Sequence, residues 1–202
     1  MIVDLRDYTV APGTRDLLVE RFERLFMDAQ EQLGATMLGA FRDADLPDRF
    51  VFLRACPDLP SRQRILTEYY ERGAQWQANK AEVNSWLIDS DNVLFVRPIS
   101  ELAPPASGTS SVAMLQRLER RPLTPGEVEL AAGAVTRAIA GAGGRLLATF
   151  ATDPAANNYP RHPIRTGEHG LVWFATFPAL AELAVPTVLC RRLLPIARSR
   201  MR

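Results

Sequence analysis

The amino-acid sequence predicts an α+β fold: a tandem duplication of two ferredoxin-like halves, each ordered β-α-β-β-α-β. Both halves open with an alternating strand pattern that leads into Pro-Gly and an amphipathic helix. Both also contain an aromatic strand run that ends in Pro-x-Leu. One such half covers only one face of its sheet with helices, so we expect the two sheets to face each other in one dimeric-type α/β barrel.

In the first half, residues 2–10 ("IVDLRDYTV") alternate apolar and polar side chains, which indicates a strand. After "APG" the apolar positions recur at helical spacing until Gly34. The runs "ATMLGAFR" and "RFVFLRACPDL" then predict two strands, followed by a second helix and a closing strand, "NVLFVRP". We therefore assign residues 1–102 to the first half.

The second half, residues 112–202, follows a linker at 103–111 that is rich in Pro, Ser and Gly. It starts with the strand pattern "VAMLQRLERRPL", and "TPG" opens a helix that stops at Gly143 and Gly144. "RLLATFAT" and "GLVWFATFPAL" predict strands, and a second helix is expected after them. The closing run "CRRLLPIARSR" fits either a short strand or a frayed helix.

The two registers locate an insertion in the second half. Phe41 matches Phe150 at an offset of 109, whereas Pro57 matches Pro178 at an offset of 121, a difference of 121 − 109 = 12 residues. The extra residues fall in the inserted loop, residues 152–170 ("TDPAANNYPRHPIRTGEHG"). Long loops in compact domains are usually functional or disordered, and a tyrosine and three prolines argue against disorder. We expect this loop to fold over one mouth of the barrel and to put Asn157, Tyr159 and Arg161 against the interior.

These segments resemble the NIPSNAP family of dimeric α/β-barrel proteins. The resemblance is carried by "DLRDYTVAPG", "DRFVFLRACPDLPSR", "WQANKAEVNSWLIDSDNVLFVRP", "NNYPRHPIR" and "LLPIARS", with the Asn-Asn-Tyr-Pro-Arg signature intact at residues 157–161. It implies the barrel fold, and related barrel families include cofactor-independent monooxygenases and haem-dependent enzymes. The family pattern has an aliphatic residue where this chain has His162, so a histidine mechanism does not follow from the resemblance.

Candidate site residues come from the inserted loop and the first strand. A loop with amide, phenol and guanidinium groups suits a ligand carbonyl or carboxylate, and the same residues could equally fold the loop. We predict substrate binding by Asn157, Asn158, Arg161, Arg165, Arg6, Tyr8 and Trp76, and catalysis by His162 and Tyr159. His162 is the group expected to titrate near neutral pH and to move a proton.

Alternation along the first strand puts Val3 and Leu5 on one side, which we expect to face the helices. Asp4, Arg6 and Tyr8 then face the barrel interior or its mouth. Such enclosed polar groups must bind something or pair with each other. The two pairs expected under the second reading are Asp4 with Arg117 and Arg6 with Glu119.

The charge, the hydrophobic pattern and the cysteine content of the sequence argue against several classes of function. The net charge is +1 without a basic run, which disfavours nucleic-acid binding. The N-terminus lacks a secretory pattern, and the apolar stretch 171–190 contains Glu182 and two prolines, so we expect a cytoplasmic protein that does not enter a membrane.

Cys56 and Cys190 are expected as buried free thiols. No metal or nucleotide motif occurs, so no cofactor is predicted.

The leading hypothesis is therefore a metal- and nucleotide-independent enzyme acting on a small, partly apolar organic molecule in specialised or xenobiotic metabolism. One alternative is a non-catalytic ligand carrier or protein-assembly module. The other, from the resemblance, is a cofactor-independent monooxygenase or a haem-binding barrel enzyme. A homodimer is also expected, because the sheets would retain edge strands that invite pairing.

Overall fold

The computed structural model describes residues 1–103, 111–177 and 188–202. The strands are β1 (Ile2–Val10), β2 (Thr36–Asp43), β3 (Arg49–Cys56), β4 (Leu87–Asp89), β5 (Val93–Pro98), β6 (Val112–Glu119), β7 (Arg145–Thr152), β8 (His169–Thr176) and β9 (Leu189–Pro195). The helices are α1 (Arg15–Arg21), α2 (Met27–Glu31), α3 (Leu59–Thr67), α4 (Ala74–Trp86) and α5 (Pro125–Gly141). Two π-helical turns, Phe22–Phe26 and Glu68–Arg72, follow α1 and α3.

The described elements match the predicted order, with three qualifications. The second helix that was predicted for the second half would fall on residues 178–187, outside the described residues. The ambiguous closing run is a strand, β9. The short strand β4 was not predicted; it pairs with the end of β1.

Eight strands form a closed antiparallel barrel. The first half contributes the order β5-β1-β3-β2 and the second half β9-β6-β8-β7. The two sheets enclose a common core, and they are also joined edge to edge by the pairs β5–β7 and β2–β9. The four edges on which the homodimer prediction depended are thus used within the chain.

The two seams of the barrel have the same construction. Ser100, just after β5, accepts a hydrogen bond from the backbone N–H of Thr149 at 2.8 Å. Ser199, after β9, accepts one from the backbone N–H of Ala40 at 3.1 Å. Ala40 and Thr149 differ by 109 positions, the offset between the halves, so each half fastens its final segment to the equivalent strand of the other.

The helix starts have clear local causes. Asp58 accepts from the backbone N–H of Ser61 and caps α3. Thr124 and Glu127 form a capping box at α5, and Pro125 occupies its first turn. The helices end where Gly34 and Gly143 adopt positive φ angles of 102° and 72°. Within the described ranges, no helix is long and apolar enough to span a bilayer.

The barrel interior is filled by apolar side chains from both halves. The buried set comprises Val3, Leu5, Leu38, Phe41, Val51, Leu53, Ala55, Leu94, Val96, Val112, Met114, Leu147, Ala148, Phe150, Val172, Phe174, Leu193 and Met201. A second core lies between the outer face of the first-half sheet and α1 to α4, and a third lies under α5. Both faces of the first-half sheet are therefore buried.

Candidate functional site

The polar residues of β1 lie on the outer face of the barrel, beneath the helices. Val3 and Leu5 belong to the interior core, whereas Tyr8 packs in the core under the helices. The prediction that Asp4, Arg6 and Tyr8 face the barrel interior is therefore wrong. Alternation correctly separates the two faces, but apolar residues fill the interior and the polar face lies against the helices.

Asp4 is the centre of a buried ion cluster. Its carboxylate accepts from Arg54 Nη2 at 2.5 Å and from Arg62 Nε at 2.8 Å, and Arg6 Nη1 lies 3.8 Å away. We call Asp4, Arg6, Arg54 and Arg62 the arginine cluster; their side chains are at most 1% exposed. Burial would raise the pKa of Asp4, but the three guanidinium groups outweigh it and hold the pKa at about 2.

The ion pairs expected between the halves do not form. Arg117 pairs with Glu119 of its own strand at 3.0 Å, and both are partly exposed. Asp4 instead faces Arg54 directly across the β1–β3 ladder. The polar groups of β1 are thus paired with each other and with arginines of the first half, and not with the second-half residues that were expected.

Arg6 connects the cluster to two neutral side chains. Its Nε donates to the Tyr8 hydroxyl at 2.7 Å, and its Nη2 lies 3.4 Å from His162 Nδ1. Nη2 also donates to the Ser90 carbonyl at 3.3 Å. A residue of the first strand and a residue of the inserted loop therefore meet at one guanidinium, as expected for a shared site.

The inserted loop crosses to the first half and does not close a barrel mouth. The backbone N–H groups of Asp153 and Arg165 donate to β5 carbonyls, each at 2.8 Å. Between these anchors, the Asn157 and Asn158 side-chain carbonyls accept from Arg62 at 3.3 and 3.0 Å. The predicted position over the mouth is wrong for residues 157–162, which lie against the outer face of the first half.

The remaining loop candidates divide into two groups. Tyr159 donates to Glu71 at 3.1 Å, and Arg161 pairs with the same carboxylate at 3.3 Å. The Arg161 side chain is 70% exposed, so it points away from the enclosed space. Arg165 lies at a barrel mouth, where it donates to Asn92 at 2.9 Å.

An aromatic cavity of about 70 Å³ lies between the outer sheet face, the helices and His162. It is lined by Tyr8, Leu18, Phe22, Phe26, Gln30, Phe50, Phe52, Tyr69, Tyr70, Trp76, Val83, Asn84, Leu87, Ser90 and His162. The His162 ring packs against the Tyr70 ring, with centroids 4.1 Å apart and planes tilted by 32°. The predicted residues Tyr8, Trp76 and His162 thus share one cavity, with Arg6 directly behind its polar end.

The protonation states of the polar end follow from burial. The pKa of His162 is lowered to about 3, mainly by burial and in addition by the positive charges of Arg6 and Arg54. Burial raises the pKa of the Tyr8 phenol to about 12. Both groups are neutral at pH 7, so the expectation that His162 titrates near neutrality is not met.

Sequence reasoning missed Arg54, Arg62 and Tyr70. Arg54 was detectable as a lone charge within the apolar run "FVFLRAC", since a charged side chain inside a buried strand needs a partner. Arg62 lies one turn into α3, where the sequence alone does not separate it from an exposed arginine. Tyr70 depends on the π-helical turn, for which the sequence gives no signal.

Metal and thiol chemistry have little support from the described side chains. No group of three His, Cys, Asp or Glu residues is arranged as metal ligands there. The space beside His162 is far below the ~300–1,000 Å³ of ordinary ligand pockets, so haem does not fit it. Burial raises the pKa of Cys56 to about 11, which disfavours the reactive thiolate. Cys190 is exposed, contrary to expectation.

Structural comparison supports the barrel fold. A proposed monooxygenase from Fusobacterium nucleatum matches with a TM-score of 0.59 and 10% identity, over 96% of this chain and 91% of that one. A proposed monooxygenase from Lactobacillus acidophilus NCFM matches with a TM-score of 0.57 and 12% identity, over 96% and 93%. At such identities the similarity shows the fold alone. Comparison with curated proteins found no significant match.

Two further comparisons name the same family, and only the second, a family sequence model, carries the assignment. An uncharacterized NIPSNAP domain protein from Burkholderia xenovorans is 21% identical over 51% of this chain and 99% of its own, with a TM-score of 0.44. The NIPSNAP family model itself matches residues 3–102, the segment that supplies the arginine cluster and most of the aromatic cavity. Residues 3–102 of this chain therefore match the NIPSNAP family, and this NIPSNAP domain forms the first half of the barrel.

Proposed function

We propose that this protein binds a small, partly apolar organic molecule with an acidic oxygen in the aromatic cavity. The observation that carries the proposal is the excess of positive charge at the cavity's polar end. Three buried arginines face one carboxylate, Asp4, while Tyr8 and His162 are neutral. An uncompensated buried charge is costly, so an anionic group near this end would be stabilised.

The hydrogen-bonding pattern of the cluster supports the same reading. Within the described residues, Arg6 Nη1 and Arg62 Nη2 are buried without a hydrogen-bond partner. Buried donors are nearly always satisfied, so such groups call for an additional acceptor. The rest of the cavity wall is aromatic and aliphatic, which suits the apolar part of a ligand.

The volume of the aromatic cavity admits only a small molecule, and a larger ligand would require part of the cavity wall to move. His162 is on the inserted loop, which Arg62 and Glu71 hold through polar contacts. Displacement of this loop would enlarge the cavity on the side of His162. Asn84 is exposed and lines the cavity, so ligands would enter there.

We further propose an enzyme of specialised or xenobiotic metabolism that works without metal or nucleotide, by confinement and polarisation of the substrate oxygen. Monooxygenase chemistry is one form of this, suggested by the names of the fold neighbours. The second candidate is a ligand carrier. The pKa values of about 3 for His162 and about 12 for Tyr8 favour it, because neither group exchanges protons readily at neutral pH.

Binding of 4-nitrophenol and of benzoate to the purified protein tests the proposal by calorimetry. We expect the Asn84→Trp variant to block binding at the cavity entrance, while Arg161→Ala, an exposed change on the inserted loop, leaves it intact. If neither probe binds the wild type, or if Asn84→Trp binds as the wild type does, the proposal fails. Oxygen uptake with bound 4-nitrophenol would favour the monooxygenase over the carrier.

Three broader proposals accompany this one. We infer that the halves, 1–102 and 112–202, arose by tandem duplication, which the equivalent serine contacts at the two seams support. A cytoplasmic location is proposed from the sequence. A homodimer is also proposed, and since the sheet edges are used within the barrel, it would need a different surface; light scattering tests it.

A further inference from the structure

Arg6 determines the direction of the Tyr8 hydroxyl. An arginine side chain carries only donors, so at 2.7 Å from Arg6 Nε the Tyr8 oxygen must accept. The hydroxyl hydrogen is then free to point elsewhere, and none of the side chains and carbonyls that the structure describes accepts it. Because Tyr8 lines the aromatic cavity, the cavity is where this hydrogen can find an acceptor.

The same guanidinium determines the tautomer of His162. His162 Nδ1 lies 3.4 Å from Arg6 Nη2, which can only donate. Nδ1 must therefore carry the lone pair, and the hydrogen of the neutral ring is on Nε2. The ring packs against Tyr70, and the backbone carbonyl of His162 accepts from Asn157 at 2.8 Å.

Two neutral side chains, each with one donor left, thus line the polar end of the cavity. Both acceptor atoms bond to neighbouring nitrogens of one guanidinium, and both rings belong to the cavity wall. Arg6 itself is fully buried behind them. Its charge polarises the Tyr8 hydroxyl and, through Nδ1, the imidazole N–H, which strengthens both as donors to an anion.

We infer that Tyr8 Oη–H and His162 Nε2–H form a two-donor site for a single anionic oxygen, with Arg6 as the residue that positions both donors. The ligand class is a planar phenolate or enolate, whose one charged oxygen meets the donors while its ring or chain meets the aromatic wall. This inference rests on the proposed function and names its substrate class. It assigns His162 a role as a hydrogen-bond donor and not as a base.

The tautomer is measurable because the chain has only two histidines. In protein labelled with ¹⁵N-histidine, a His169→Gln variant leaves the signals of His162 alone. We expect Nε2 to carry the hydrogen in the wild type, and the Arg6→Gln variant to lose this strong preference. Circular dichroism and thermal unfolding establish that each variant is folded. A hydrogen on Nδ1 in the wild type would overturn the inference.

The donors are tested with 4-nitrophenol, whose ionised form has its own visible absorption band. We expect binding to raise the ionised fraction, and Tyr8→Phe to weaken phenolate binding by ~10- to 100-fold, the range for one lost charge-assisted hydrogen bond. Tyr69→Phe is the matched control, since it removes a hydroxyl from the same cavity away from Arg6 and should cost much less. His162→Phe should behave as Tyr8→Phe does, whereas His162→Gln retains an N–H and should recover part of the affinity.

The outcomes separate the two proposals. Absence of probe binding, or binding that Asn84→Trp does not block, contradicts the proposed function itself. Binding in the cavity with no rise in the ionised fraction, or with equal effects of Tyr8→Phe and Tyr69→Phe, contradicts the two-donor site alone. The methyl ether 4-nitroanisole, which cannot ionise, should bind more weakly than 4-nitrophenol if the site selects the charged oxygen.

Discussion

Replacing His162 should make the stability of the protein less dependent on pH. Its pKa is lowered from 6.5 to about 3 in the folded protein, so the unfolded chain takes up the proton first as the pH falls. The folded state is therefore penalised progressively below about pH 6.5, down to about pH 3. The sign is the opposite of that for a histidine stabilised by a carboxylate.

The size of the effect follows from the shift. At pH 5.0, about 1.5 pH units below the unfolded pKa at ~1.36 kcal/mol per unit give a loss of about 2 kcal/mol relative to neutral pH. Urea unfolding of the wild type and of His162→Gln at about pH 7.5 and about pH 5.0 measures this loss. Because both proteins share all carboxylates, the difference between their two pH dependences isolates the imidazole.

The control is His169→Gln, which removes the other histidine and should retain the wild-type contribution of His162. A lower absolute stability of His162→Gln is irrelevant to the test, since only the change with pH is compared. If wild type and His162→Gln lose the same free energy of unfolding between the two pH values, His162 is not held neutral. The burial argument would then be refuted.

Two further predictions concern the ion cluster and the seams. Asp4→Asn leaves three buried guanidinium groups without their carboxylate and should lower the free energy of unfolding, measured by urea titration, by ~3–5 kcal/mol. A loss below ~1 kcal/mol would contradict this prediction and mean that water solvates the guanidinium groups in place of the carboxylate. Ser100→Ala and Ser199→Ala each leave a backbone N–H of the opposite half without its acceptor and should cost ~1–3 kcal/mol apiece by the same assay. The two losses should be similar and should add in the double variant, whereas an effect at one seam only would contradict their equivalence.

The element order was predictable because it depends on local patterns. A Pro-Gly pair before an amphipathic helix and the alternation of polar and apolar residues in a strand can each be recognised within a few residues. Because the two halves repeat the same pattern, each element assigned in one half could be compared with the equivalent element of the other. The closing strand β9 was ambiguous because it is held by β6 and β2, which lie far away in sequence. The second helix that was predicted for the second half would lie outside the described residues.

The orientation of β1 shows where local patterns stop being informative. Alternation establishes that Asp4, Arg6 and Tyr8 share a face but does not say which face is inside. In this barrel both faces are buried, so polarity does not distinguish interior from exterior. The deciding fact is Arg54 opposite Asp4 on β3, a long-range pairing that needs the strand register.

The inserted loop was correctly identified as unusual but wrongly placed. Its composition predicted polar contacts, and Asn157, Asn158 and His162 do make them. Its destination depended on the hydrogen bonds to β5, which no residue pattern specifies. Arg161 and Tyr159 could not be separated from the cavity residues, because their partner Glu71 belongs to a π-helical turn.

The exchange of final segments between the halves has a consequence for biosynthesis. The edge of β2 receives its partner only when residues 189–199 have been synthesised, although β2 itself is complete more than a hundred residues earlier. During translation the first half therefore carries an unpaired strand edge, which is the type of surface that aggregates or recruits chaperones. Prematurely terminated chains would retain that edge, so quality control in the cell should remove them even though the NIPSNAP domain is fully present.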